Sequence, residues 1–278
     1  MQPWIFHRLP IELVRLIFEA AARSRCTACT LCVVSKAVFE WITPILYRTV
    51  VFRDQLTANL FNAGSPTRDT RHHHLAAQMR NVFFARHVNA GAFDLAGCSG
   101  LQNLVADPTL LHFIVPPMMP ALTHLTLYRR GRDRFLDLPL STTITHLYLP
   151  RAHRAASILT DFTTSNLPNL THLVCSVLTV MEPWNKESAL IFLTLIQEFK
   201  KLRVVGLQPF DENRCPGHVT DLPAFLHQLG HHGHPGLVFI PAKKFSVDDW
   251  ENWVSGGESI WETAERTLLA QRWSLHPR

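Results

Sequence analysis

The sequence has little that could cross a membrane or cross-link a scaffold. Its most apolar run, ALIFLTLI at 189–196, is less than half of the ~20 residues that a membrane-spanning helix requires, so no membrane contact is expected. The opening stretch, MQPWIFHRLPIELVRLIFEAAA, is interrupted by Arg8, Glu12 and Arg15 and lacks the pattern of an export signal. Six cysteines in 278 residues are too few for a disulfide framework, and three of them crowd into one short stretch. The expected setting is reducing and intracellular, cytoplasmic or nuclear.

Catalytic signatures are missing as well. Nothing matches GxSxG, HExxH, GxxxxGKS/T or GxGxxG, the 22 acidic residues are scattered, and no cysteine and histidine form a recognisable nucleophilic pair. A protein that is not an enzyme and carries no cofactor or metal is expected. Cys26, Cys29 and Cys32 in RCTACTLCVVS have no fourth cysteine before Cys98, as an iron–sulfur run would need. On a helix this spacing drifts by about 60° per step, so the three sulfurs do not converge on one ion; Cys32 reads as a small buried hydrophobe.

The net charge of +5 and a sequence pI near 9.0 permit acidic partners but fall short of a nucleic-acid signature. No specific nucleic acid is expected. The one dense basic cluster is YRRGRDR, with Arg129, Arg130, Arg132 and Arg134 around a glycine. It reads as a solvated loop, with contact to an acidic or phosphate group as the alternative.

What the chain does have is a recurring six-residue frame: MRNVFF from Met79, LQNLVA from Leu101, LTHLTL from Leu122, ITHLYL from Ile144, LTHLVC from Leu170 and LRVVGL from Leu202. Positions one and four are aliphatic and position six is apolar. Alternation predicts short strands with positions four and six inward and positions three and five outward. Helical segments are predicted at 155–162 and 186–199. Each unit must stack on its neighbours to bury its inner face.

The first four spacings between frames, 22, 21, 22 and 26 residues, fall in the roughly 20 to 29 residue range of leucine-rich repeats, and residues 79 to about 210 resemble that family. The Asn or Cys usual three positions beyond the frame is absent, which predicts irregular, loop-rich repeats. GLVFIP at 236–241 reads as a last strand. Two tail helices should then begin at Ser246 and Ser259, the latter in a capping box with Glu262. Trp250, Trp253 and Trp261 on them would cover the terminal repeats.

Residues 9–52 read as two or three short helices leading into a strand, with Pro10 at the first helix start. Leu13, Leu16, Ile17 and Ala20 form one apolar side and Val14, Phe18 and Ala21 another. So short a segment cannot bury both within itself. LPIELVRLIFEAA followed by LCVVSKAVFEWITPILYRTVVF resembles the F-box, in Leu9, Pro10, Glu12, Leu13, Ile17, Phe18, Val34, Ser35 and Lys36. Val38 and Phe39 stand where that family usually has tryptophan, with Trp41 slightly later. F-box plus repeats is similar in architecture to the large F-box-like sets of mushroom-forming fungi.

The fold expected is α/β: an F-box-like helical module at 1–52, a degenerate leucine-rich-repeat solenoid with parallel strands on its concave side at 53–245, and capping helices at 246–278. The resemblance implies a substrate-recognition adaptor of a cullin-type (SCF-like) ubiquitin ligase. Leu9, Pro10, Leu13 and Ile17 would contact a Skp-type linker, and the repeats would bind a target protein. A standalone repeat scaffold with no ligase role is the alternative.

The outward positions expected to meet the target are Asn103, His124, Thr126, His146, Tyr148 and His172. If the frames are in register, His124, His146 and His172 stack on adjacent strands about 4.8 Å apart. A metal-assisted hydrolase built on these three is the remote alternative. It is disfavoured because side chains of a flat ladder point in parallel, whereas zinc needs ligands converging at ~2.0–2.1 Å.

Overall fold

The computed structural model describes residues 9–63, 70–85, 88, 95, 97–107, 119–128, 142–152, 167–177, 194, 196–209, 235–241 and 245–275. The chain is an α/β protein; among the described residues it is built on an eight-stranded sheet, with three helices before it and two after it. Among the described residues no helix is long and apolar enough to cross a membrane.

The opening helices are α1 (Ile11–Ala21), α2 (Arg25–Leu31) and α3 (Lys36–Arg48). Local chemistry sets their starts. Pro10 precedes α1, and Glu12 places its charge in the first turn, where the helix dipole favours it. Ser24 and Ser35 cap the next two helices, accepting from the backbone N–H of Thr27 at 3.1 Å and of Val38 at 3.2 Å. Ser35 of the Val-Ser-Lys motif is therefore the residue that starts α3. A small core of Ala22, Ala28, Val38 and Ile42, with Phe18, Leu31 and Trp41 around it, holds the three together.

The helix α3 runs directly into β1 (Thr49–Phe52), followed by α4 (Gln55–Ala63) and α5 (Thr70–Gln78). His72, His73 and His74 lie in α5. The strands β2 (Asn81–Phe84), β3 (Asn103–Ala106), β4 (His124–Leu127), β5 (His146–Ala152), β6 (His172–Val177), β7 (Val204–Pro209) and β8 (Leu237–Phe239) complete the sheet. Every pairing is parallel, and spatial order equals chain order from β1 to β8.

The six-residue frame sets the register. Thr49, Asn81, Asn103, His124, His146, His172 and Val204 lie side by side across seven strands, all at position three of the frame or its equivalent. One core collects positions one, four and six: Leu101, Leu104, Leu122, Leu125, Leu127, Ile144, Leu147, Leu149, Leu170, Leu173 and their neighbours. The predicted helices at 155–162 and most of 186–199 lie outside the described residues.

The tail helices are α6 (Val247–Val254) and α7 (Ile260–Leu275). Ser259 and Glu262 form the reciprocal capping box: the Glu262 carboxylate accepts from the Ser259 N–H at 2.7 Å and Ser259 Oγ accepts from the Glu262 N–H at 3.2 Å. Asp249 is one methylene shorter and takes the Ser246 hydroxyl at 2.7 Å instead. The helices do not follow the expectation of a cover for the terminal repeats alone. They lie across the sheet face that carries positions three and five, α6 by its Trp250 against Val51, Phe83, Val105 and Tyr128, and α7 by Trp261, Ala264 and Leu268 against Tyr148, Val174, Val204 and Val238.

Leu147 is fully buried in the first core, whereas Leu56 on α4 is 68% exposed. Leu147→Ala should cost ~2–5 kcal/mol by urea or guanidinium unfolding, because it removes packed volume. Leu56→Ala should stay within about 0.5 kcal/mol of the parent.

Candidate functional site

Two surfaces carry the residues singled out by the sequence. The first is the outer side of α1. None of its residues is buried, and Ile11, Leu13, Leu16 and Ile17 are 46–59% exposed. Val33, Val34 and Phe39, at the end of α2 and the start of α3, are exposed as well. Pro10 is exposed and Leu9 partly so. Phe18 and Val14, the other apolar side of α1, are half-buried, Phe18 against the small core with its ring 6.4 Å from that of Trp41. The three-helix module thus satisfies one side of α1 and leaves the other facing solvent.

The cysteines of this module take separate places. Cys26 and Cys29 are exposed on α2, while Cys32 is half-buried against the small core. Burial raises the Cys32 thiol above its ordinary range, which disfavours the reactive thiolate.

The second surface is the position-three line beneath the tail. At its start Asn81 donates to Thr49 Oγ1 at 3.0 Å and Asn103 donates to Asn81 Oδ1 at 2.6 Å. The three histidines continue it as a stack, His124 on His146 with ring centres 4.1 Å apart and His146 on His172 at 4.2 Å, the ring planes nearly parallel at 21° and 5°. Each Nδ1 is bonded to the hydroxyl of the preceding threonine: Thr123 at 2.8 Å, Thr145 at 2.7 Å and Thr171 at 2.8 Å. Those hydroxyls also reach the backbone carbonyl of the previous strand's frame, Thr171 to Thr145 at 3.0 Å. The repeated Thr-His-Leu is therefore a rung in which threonine ties the strand to its neighbour and fixes the ring.

The tail closes over this stack. The Trp261 ring meets His146 edge to face at 5.1 Å, and Trp253 meets His124 at 5.7 Å. His172 Nε2 lies 3.0 Å from the Glu265 carboxylate on α7. Desolvation, reinforced by His172, lowers His124 from its ordinary 6.5 to about 4. Desolvation, with both neighbouring histidines adding to it, lowers His146 to about 3. Both rings are neutral at pH 7.

The expectation that this line forms an open target-binding surface is corrected. Thr126, Tyr148 and His172 are buried, and Asn103, His124 and His146 are half-buried. Position five is the reason: Phe83, Val105, Tyr148 and Val174 are apolar and pack against the tail, so the face needs a cover. The metal-hydrolase alternative also fails on geometry. The rings are parallel, each Nδ1 is taken by a threonine, and among the described residues no group of three or more His, Cys, Asp or Glu side chains is placed to hold a metal ion. Arg129, Arg130, Arg132 and Arg134 lie outside the described residues.

Sequence reasoning missed two contributors. One is the position-two threonine, whose signal was its recurrence before each histidine. The other is the polar network under α6, where Gln208 Oε1 accepts from Tyr148 at 2.8 Å and from Ser176 at 3.0 Å, and Gln208 Nε2 donates to the Pro241 carbonyl at 3.0 Å. Burial pushes the Tyr148 phenol above its ordinary value, so it stays a neutral donor. No protein-family model matches the chain, and no curated protein or solved structure does.

The depressed histidines have a defined consequence for stability. The unfolded chain binds more protons than the folded one between pH 6.5 and about 3–4, so their contribution is complete above pH 6.5 and is lost as pH falls through that window. Urea unfolding at pH 7.5, 6 and 5 should show this decline. In His146→Phe, which keeps a ring under Trp261 without a titrating group, the decline should be shallower; an unchanged slope would contradict the assignment.

Proposed function

We propose that the chain is a substrate-recognition adaptor of a cullin-type ubiquitin ligase, in which the amino-terminal helices act as an F-box and dock on a Skp-type linker. The observation that carries the reading is the exposed strip of Ile11, Leu13, Leu16 and Ile17. Leu13 and Ile17 of this strip are among the residues by which the segment resembles the F-box, and a helix that buries none of its residues lacks the partner its apolar side calls for. Val33 and Val34 extend the same kind of surface.

The sheet supports the second half of the reading. Parallel strands in strict chain order, with one six-residue frame repeated at the pairing register, are what a leucine-rich-repeat solenoid requires, since each unit buries its inner face only against its neighbours. In this reading the sheet and the tail form one rigid body that carries the target. The target meets surfaces other than the buried position-three line. The adaptor performs no covalent chemistry itself; it holds linker and target together.

Co-expression with a Skp-type linker tests the reading. The wild-type chain should co-elute with the linker on size exclusion, and Leu13→Glu with Ile17→Glu should abolish co-elution while leaving the unfolding midpoint unchanged, because both positions face solvent. A wild-type chain that elutes alone would favour the standalone scaffold.

A further inference from the structure

The packing of α2 sorts its three cysteines. At about 100° per residue, Cys32 lies about 40°, Cys29 about 100° and Cys26 about 160° round the helix from Ala28, the residue that α2 buries in the small core. Exposure follows that order: Cys32 is half-buried, and Cys29 and Cys26 are exposed. All three are free thiols.

Neighbouring cysteines are offset by about 60° and rise by about 4.5 Å. That offset keeps the outer two apart but leaves each adjacent pair on one face of the helix. The pair facing solvent is Cys26 and Cys29. Cys32 is the poorer ligand, since burial, and after it the nearby Cys29, raise its thiol, and a metal takes the thiolate. Cys98 and Cys175 are buried in the sheet core.

A disulfide does not suit this pair. Residues three apart on an α-helix have Cβ atoms about 5–6 Å apart, whereas a disulfide needs roughly 3.5–4.5 Å, so direct bonding would tighten the turn. The turn is held against that. Ser24 accepts from the Thr27 N–H at 3.1 Å, the Thr30 hydroxyl donates to the Cys26 carbonyl at 3.1 Å, and Ala28 is packed in the core. An ion seated between the sulfurs spans the gap with the helix intact.

Thiolates are soft donors and select soft metals. Zinc in a closed site asks for four ligands, and among the described residues no group of three or more His, Cys, Asp or Glu side chains is placed to hold an ion. Cu(I) is satisfied by two thiolates in a nearly linear arrangement. Arg25, exposed and one turn before Cys29, sets a positive charge on the face where the complex, anionic overall, would form.

We infer that Cys26 and Cys29 form a two-coordinate binding site for Cu(I) on the exposed face of α2. Each thiol gives up its proton to solvent as its sulfur takes the ion, and no electron is transferred, so uptake strengthens as pH rises. The site needs neither linker nor target, and the inference is independent of the adaptor reading.

Anaerobic titration of the reduced full chain against the coloured Cu(I) complex of bicinchoninate tests it. The wild-type chain should withdraw about one Cu(I) and gain thiolate-to-copper charge-transfer absorption in the ultraviolet. Cys26→Ser and Cys29→Ser should each weaken uptake more than about 100-fold, beyond the ~10–100-fold that loss of an outer-shell partner costs. Cys32→Ser should keep the wild-type affinity within about threefold. The copper-free Cys26→Ser and Cys29→Ser chains should unfold at the wild-type midpoint, because both positions face solvent. No copper withdrawn from the chelator, uptake that persists in Cys26→Ser or Cys29→Ser, or an equal loss in Cys32→Ser would overturn the inference.

Discussion

An all-parallel sheet must be covered on both faces, and the architecture of this chain follows from how the two covers are supplied. One face is buried by the leucines at positions one, four and six of the repeated frame. The other carries Phe83, Val105, Tyr148 and Val174 and is buried by residues more than seventy positions later, on α6 and α7. Trp250 is almost wholly buried against the early strands, and Trp261 against the later ones. At the edge of the cover, Arg53 pairs with Asp248 and Glu251 at 3.5 and 3.1 Å, but exposed pairs of this kind contribute only ~0–1 kcal/mol. The aromatic burial holds the tail down.

Covering the second face traps a polar line, and the structure handles it by pairing along the line. The Asn81 and Asn103 amides bond sideways to their neighbours. The histidines stack, with threonine on one nitrogen of each ring. Where the line meets α7, Glu265 accepts from His172; beyond it, Val204 is apolar and joins the second core. A buried Asn103 Oδ1 and the indole nitrogens of Trp250 and Trp261 have no hydrogen-bond partner among the described residues, a cost of roughly 1–3 kcal/mol each when such a group is truly dry. The line is therefore less favourable to bury than an apolar one, and the surrounding aromatic contact compensates for it.

The sheet was legible because its signal is local and repeated: a frame of two-residue alternation fixes both strand position and register, and LTHLTL, ITHLYL and LTHLVC align without gaps. The helix starts at Ser246 and Ser259 were readable for the same reason, since a cap acts within one turn; those at Ser24 and Ser35 were not read. The tail's location was not. Nothing in VDDWENWV or IWETAERTLLAQRW specifies which surface it meets; the clue was that position five is apolar, which conflicts with an outward-facing role. His124, His146 and His172 drew attention as a polar ladder and masked that conflict. The α1 strip was legible as unburied apolar surface because three short helices have too little interior to hide it.

The two ends of the chain thus play opposite physical parts, one leaving apolar surface open and the other closing it. That the tail is an integral layer of the fold is the claim on which the buried ladder depends. Its most direct test is unfolding of a chain ending at residue 245, followed by circular dichroism and by binding of a dye that reports exposed apolar surface. Loss of cooperative unfolding together with strong dye binding, the behaviour of a chain whose specific packing is gone, is predicted. A truncated chain that unfolds as cooperatively and at the same midpoint as the full chain, with no added dye binding, would contradict it.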